Sequence, residues 1–286
     1  MQRPDWAPDD VDIDAASPAR VYDALLGGSH NFEVDRQAAR WGVEAVPDLP
    51  AAILANRRFL RRTVAHLADR GITQFIDLGA GIPTMGNTHE VAQSRNPACR
   101  VAYVDVDAVA VAHATSILAG NDRAIALRGD LRDARAVLSD PALTSFIDLT
   151  RPVAVLLVAV VHLFTDEDDA PSAVATVRQA LAPGSHLVIT SLTSSDRPED
   201  STRLTGVAAR DRVSLIPRPR AWIEALFGDL TLLAPGLVPV ADWRPDPTGD
   251  ADGTGPDGGT GPQDGGAPQD PGAGGALILG AVGRRD

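Results

Sequence analysis

Three aspartates and a bend nearly free of side chains carry the chemistry that this sequence offers. Gln74 to Thr84 reads Q-F-I-D-L-G-A-G-I-P-T. Phe75, Ile76 and Leu78 make the short apolar run of a buried strand, and Asp77 interrupts it just before Gly79-Ala80-Gly81. Two glycines after a strand let the chain turn tightly and bring main-chain N–H groups up to a ligand with no Cβ in the way. A carboxylate at the end of a buried strand is costly unless it binds something. Asp77 would repel a pyrophosphate, yet it can accept hydrogen bonds from turn amides or face a cation. The dinucleotide fingerprint G-x-G-x-x-G is also incomplete, with Thr84 at its third glycine. The combination favours a positively charged nucleoside over a dinucleotide.

Two more carboxylates end the next strand-like runs. Arg100 to Val104 leads into Asp105, 24 residues past Gly81 and close to the roughly 20 expected of a carboxylate that grips ribose hydroxyls. Asp130 follows Ala124 to Leu127 and is placed to accept from an adenine amino group. Each alone reads equally well as a cap or a turn residue. Three at consecutive strand ends, beside a G-x-G turn, point to a site at the carboxyl edge of a sheet.

Candidate bases and cation sites are fewer. His162 follows the apolar run Val153 to Val161, where a substrate pocket would open, and its alternative is a structural histidine bonded to the backbone. His30, Asn31, Asp35 and Tyr22 form a polar cluster that is either part of a pocket or a helix–loop–helix cap. Arg57 or Arg61 could pair bidentately with a ligand carboxylate, or lie on a solvated basic face. Arg58 and Arg62 are expected to be exposed. His89 and His113 fall in helices and take no role. No group of histidines or carboxylates has metal-ligand spacing, so no metal is expected.

These residues need a scaffold, and the pattern supplies one. Ser17-Pro18 opens a first helix that Gly27-Gly28 ends, and a second runs from about Asp35 to Glu44. Ile53, Leu60, Val64 and Leu67 share one face of a third helix, which Gly71 stops. Strands then alternate with helices from residue 72 to 191. That calls for a doubly wound α/β fold, a parallel sheet with helices on both faces. Asp196 to Ser214 reads as polar and irregular, Pro219 to Phe227 as a helix, and Leu230 to Leu233 as a strand. Residues 248–275 hold no large apolar side chain and cannot offset their chain entropy, so they are expected to be a disordered insertion. Ala276 to Val282 is strand-like again and would close a terminal hairpin around it. The acidic segment 1–16 reads as a solvated arm.

Composition narrows the function classes. The 286 residues carry a net charge of −12, which gives no broad basic face for nucleic acid. Every basic side chain is arginine, so Schiff-base and P-loop lysine chemistry is closed. Cys99 is the one cysteine, leaving no internal disulfide and no cysteine zinc cluster. No signal peptide is visible, and no apolar run could span a bilayer. A cytoplasmic protein without a membrane or nucleic-acid partner is expected.

D-L-G-A-G (Asp77 to Gly81), V-D-V-D (Val104 to Asp107), G-D-L (Gly129 to Leu131) and L-V-A-V-V-H-L (Leu157 to Leu163) together resemble the motif series of class I S-adenosylmethionine-dependent methyltransferases. Ala19 to Arg36, Ala55 to Arg62, Gly81 to Ala92 and Pro235 to Pro245 resemble, more narrowly, a family of S-adenosyl methyltransferases of high-GC bacteria. The resemblance spans roughly residues 16–247 and the last strand. It implies a Rossmann-like, seven-stranded, mostly parallel sheet whose last strand is antiparallel. Residues 17–70 would then form an N-terminal helical lid on a cofactor-binding domain of residues 71–247 and 276–286. It also implies that Gly79, Ala80 and Gly81 pass the methionine moiety and that Asp105 holds the ribose. Val106 would contact adenine, Asp130 and Leu131 would frame it, and Ala159 to His162 would face the methyl. The expected activity is methyl transfer from S-adenosylmethionine to a small-molecule acceptor, with His162 and His30 as candidate catalytic residues. The alternative is a regulator that binds S-adenosylmethionine without turnover. An NAD-dependent oxidoreductase is disfavoured by Asp77 and the missing glycine.

Overall fold

Runs of β-branched and aliphatic residues build a central sheet in the computed structural model, which describes residues 8, 11–83, 86–245 and 276–286. The insertion expected at 248–275 lies outside the described residues, as does most of the arm. Three helices, α1 (Pro18–Leu25), α2 (Glu33–Ala45) and α3 (Leu49–Ala68), lead into β1 (Gln74–Leu78). Then follow α4 (Thr88–Arg95), β2 (Arg100–Asp105), α5 (Ala108–Ile117), β3 (Ala124–Arg128), α6 (Ala134–Leu138), α7 (Pro141–Phe146) and β4 (Ala154–Val158). The chain closes with α8 (Ala170–Gln179), β5 (His186–Leu192), α9 (Pro198–Arg210), α10 (Arg220–Ala225), β6 (Thr231–Leu232), β7 (Val238–Pro239) and β8 (Ile278–Arg284).

The strand order is β3-β2-β1-β4-β5-β8-β6, with β7 also paired to β8. Strands β1 to β5 are parallel and β8 runs antiparallel to β5, as expected for the last strand. The two-residue β7 is an addition that the sequence did not announce. Pairing of Leu78 with Val104, and of Val104 with Leu127, aligns the strand ends, so Asp77, Asp105 and Asp130 share one edge. The order reverses between β1 and β4, where a doubly wound sheet opens a crevice.

Alternation along the strands feeds two cores. Ile76, Leu78, Val104, Val155 and Leu157 pack with α6, α7, α8 and α10, while Phe75, Val101, Tyr103, Leu156 and Val188 pack on the opposite face. The apolar stripe of α3 joins the second core: Phe59, Leu60, Val64 and Leu67 are buried against the sheet. Helix α3 is therefore one of the sheet's flanking layers, and the covering element is narrower than the lid of residues 17–70 read from the sequence.

Three further expectations change. Asp196 to Ser214 is not irregular, because α9 occupies most of it. Pro198 opens that helix and Glu199 and Asp200 sit at its positive end. Arg62 is buried, not exposed; its guanidinium donates to the carbonyls of Trp243 (3.1 Å) and Val240 (2.7 Å) and ties α3 to the segment before the insertion. Segment 11–16 is not a free arm either. Val11 is buried with Phe32, Ile82, Val109 and Ala110, and Arg20 donates to the carbonyls of Asp12 and Ala15.

Asp35 organises that entry. Its buried carboxylate accepts from the amides of Ser17 (3.0 Å) and Phe32 (2.8 Å) and pairs with buried Arg20 at 3.2 Å. Burial pushes its pKa up, opposed by those amides and by Arg20. Removing one partner of such a buried pair leaves a charge uncompensated. Asp35→Ala should therefore lower stability by about 3 kcal/mol, read as a lower urea midpoint. A change below ~0.5 kcal/mol, the scale of ordinary surface substitutions, would contradict this account of the α1–α2 junction.

Candidate functional site

A cavity of about 490 Å³ opens at the carboxyl ends of β1 to β5, within the ~300–1,000 Å³ usual for small-molecule sites. Asp77, Gly79, Asp105, Gly129, Ala159 and Leu192 mark the five strand ends around it. One half is polar and glycine-lined. The other lies between α1–α3 and α9 and is almost wholly apolar, through Leu25, Leu49, Ile53, Leu204, Val207 and Leu215.

Asp105 joins the two turns of the polar half. Its Oδ2 accepts from the Gly81 amide at 2.7 Å, and Oδ1 accepts from the Asp107 amide at 2.8 Å. Burial, with Asp107 and Asp77 nearby, outweighs those two amides and pushes its pKa up to about 6. Each oxygen keeps lone-pair capacity for a hydroxyl donor. Val106 beside it lines the cavity and is 53% exposed, an unusual state for a valine and one that suits a flat apolar partner. Asp107 caps α5 through the Val109 amide at 2.8 Å and accepts from the Ser17 hydroxyl, which hooks α1 onto this loop.

Asp77 is buried at the cavity wall and accepts from the Thr88 hydroxyl at 2.7 Å. Burial pushes its pKa up, while Thr88 and the charge of Arg57 act against it. Arg57 is buried and lines the cavity, but Arg61 is exposed and lies over Gly86. Asp130 is at the cavity as expected. Both of its oxygens are already gripped by Arg132, at 2.9 and 2.5 Å, which holds its carboxyl below the usual range. Leu131 is buried beneath it. Ala159 has a left-handed φ of 59°, with its amide on the Thr190 hydroxyl at 2.9 Å. Strained backbone of that kind concentrates at functional sites.

The candidate bases look different in three dimensions. His162 lines the cavity and is buried. Its Nδ1 accepts from the Leu192 amide at 3.2 Å, so the proton sits on Nε2. Burial and the charge of Arg218 push its pKa down to about 3. The ring is thus a neutral hydrogen-bond donor tied to the backbone, which is the alternative the sequence offered for it, and not a base. His30 does not line the cavity. Its ring lies against that of His113, tilted by 35° with centroids 3.4 Å apart, and its amide donates to Asp23. Asn31 bonds Asp23 and Gly28, and Asp35 serves the α1–α2 junction, so neither belongs to the pocket. Of that N-terminal cluster only Tyr22 reaches the cavity; its hydroxyl donates to the Ile53 carbonyl (3.3 Å) and accepts from Asn56 (3.0 Å).

Sequence reading missed Arg132 and the α9 wall. The signal for α9 was present as Leu204, Val207 and Ala208, spaced at i, i+3 and i+4. Among the described residues no group of three or more His, Cys, Asp or Glu side chains could hold a metal ion, and no helix is long and apolar enough to cross a membrane.

The bend itself is testable. Gly79 has φ +70° and a Cβ there would meet Val160 at 2.5 Å; Gly81 has φ +64° with open space around the same position. Gly81→Ala should cost only the left-handed strain of about 1–2 kcal/mol. Gly79→Ala should add an overpacking cost of about 1–3 kcal/mol. Denaturant titration of the two variants that gave equal losses would contradict the described turn.

Comparison with known proteins identifies the chain. The family model for S-adenosyl methyltransferases matches residues 4–267. A crystal structure from Thermobifida fusca, described as a candidate methyltransferase, shares 36% identity and a TM-score of 0.86 over 99% of this chain and 100% of its own. A DUF574 family protein from Streptomyces avermitilis shares 35% identity and a TM-score of 0.84 over 96% and 100% of the two chains. An O-methyltransferase family protein from Burkholderia thailandensis, at 16% identity and TM-score 0.51, covers 85% of this chain and 62% of its own and shares the fold. No curated protein matches. The match over nearly the whole length makes this chain a member of the S-adenosyl methyltransferase family, an enzyme of the S-adenosylmethionine-dependent methyltransferase class.

Proposed function

We propose that this protein transfers the methyl group of S-adenosylmethionine to a small, largely apolar molecule held between α1–α3 and α9. The observation that carries the reading is the position of Asp105. It lies buried at the sheet edge with both oxygens steadied by backbone amides and its remaining lone pairs toward a cavity of nucleoside size. Bound S-adenosylmethionine supplies an electrophilic methyl on a sulfonium. The residues of the chain have three tasks around it.

Asp105 takes the ribose hydroxyls, Val106 and Leu131 sandwich the adenine, and Asp130 shares its acceptor capacity between Arg132 and the adenine amino group. Gly79, Ala80 and Gly81 let the methionine portion run close to the main chain, and Arg57 meets its carboxylate while Asp77 offsets nearby positive charge. Ala159 and His162 border the methyl side. The apolar wall excludes water, so rate comes from holding an acceptor in line at short distance. His162, a donor through Nε2–H, orients the acceptor and takes no proton. An acceptor nucleophilic without a strong base fits this chamber. No nucleic-acid partner is proposed, and a cytoplasmic location is proposed from the charge and composition of the chain.

The pH dependence of cofactor binding tests the reading. Burial pushes the Asp105 pKa up to about 6 in the free protein, and its ionised form is the stronger acceptor for ribose hydroxyls, since protonation turns one oxygen into a donor. Affinity for S-adenosylhomocysteine should therefore be full above that pH and fall below it, by up to about tenfold per unit for one proton. Asp105→Ala should weaken binding by about 3 kcal/mol, roughly 100-fold, from two lost charge-assisted bonds, and abolish that acid limb. Isothermal titration giving a flat profile, or equal affinity in the variant, would remove Asp105 from the site.

A further inference from the structure

The bend that follows β4 is strained, and β5 holds it. Ala159 has φ 59°, a left-handed conformation that glycine adopts freely and a residue with a Cβ does not. Such a residue keeps its conformation only where its surroundings fix it. The bend matters to the cavity, because Ala159, Val160 and His162 all line it. Val160 is also pressed onto the glycine turn after β1, where a Cβ on Gly79 would meet it at 2.5 Å.

The hold comes from two alternate residues of β5. The Ala159 amide donates to the Thr190 hydroxyl at 2.9 Å and, less closely, to the Thr190 carbonyl at 3.3 Å. Three residues on, His162 Nδ1 accepts from the Leu192 amide at 3.2 Å. Thr190 is fully buried and does not line the cavity, so it can act there only through Ala159. Its own rotamer is set from the other side. Thr190 pairs with Gly280 of β8, and a Cβ on Gly280 would come within 3.0 Å of the Thr190 Cγ2. A β-branched side chain is stiff at χ1. With its methyl seated over that glycine, its hydroxyl stays on the Ala159 amide.

We propose that Thr190 is a positioning residue for methyl transfer: its hydroxyl keeps Ala159 in the left-handed bend and so fixes the wall on the methyl side of the cofactor. This rests on the reading above that places the methyl beside Ala159 and His162. Valine has the shape of threonine but no acceptor for the Ala159 amide. In Thr190→Val the bend relaxes toward ordinary backbone and moves Val160 against the glycine turn.

S-adenosylmethionine and S-adenosylhomocysteine differ by the methyl and its charge, so the ratio of their affinities reads that wall, whereas a general loss of structure lowers both alike. Both are titrated calorimetrically into the full chain. Thr190→Val should lower the preference for S-adenosylmethionine by about fivefold, the scale of one hydrogen bond. Thr190→Ser keeps the hydroxyl and should stay within about twofold of the wild type. In an Ala159→Gly background, where the left-handed φ is unstrained, Thr190→Val should shift the ratio by less than about twofold. Thr190→Ala replaces the valine variant if that one does not fold. An unchanged ratio in Thr190→Val, an equal loss in Thr190→Ser, or an equal loss in the glycine background would overturn the proposal. Failure of S-adenosylhomocysteine to bind the wild-type chain would instead overturn the cofactor reading beneath it.

Discussion

One carboxylate taken out of water holds two neighbouring turns of the sheet edge together. Asp105 closes the glycine turn after β1 through Gly81 and the β2–α5 turn through Asp107, two loops from neighbouring strands. Its burial would be unaffordable without those amides, and even with them its pKa rises to about 6. The same geometry makes it a ready acceptor for hydroxyls. Fold and proposed site are therefore one construction here, since the bond that fixes the turn also fixes the acid proposed to hold the ribose.

Around that edge the cover is built by a different rule. The entry to α1 and α2 is pinned by buried polar groups, Arg20 on Asp35 and Asp23 on Asn31, and by Ser17 on Asp107. The far wall is pinned by Arg197 and Arg210, which hold α9 against α2 and the start of α3. Between the two lies a chamber of aliphatic side chains. Polar ties at the margins and an apolar interior suit the proposed site, where an acceptor is held in one orientation and water is kept from a reactive carbon.

Much of this was legible in the sequence, for physical reasons. Parallel strands buried on both faces read as unbroken apolar runs, so Val153 to Val158 and its neighbours were found with their ends nearly right. Asp77, Asp105 and Asp130 stood out because carboxylates at the ends of such runs are conspicuous. What failed were elements whose role depends on a partner distant in sequence. Helix α9 covers a cavity instead of a core, so only a thin stripe of it is apolar, and its length was read as polar and irregular. Arg62 looked like one more charge in A-N-R-R-F-L-R-R until the carbonyls of Val240 and Trp243 were seen to meet it. His162 was chosen for its position, but its tautomer is decided by the Leu192 amide, a main-chain donor that no spacing rule shows.

The most direct test of the account is a crystal structure of the protein with S-adenosylhomocysteine bound. Ribose hydroxyls on Asp105, adenine against Val106 and the sulfur turned toward the chamber under α9 are the predicted result. A nucleoside seated elsewhere, or one whose ribose makes no contact with Asp105, would contradict it.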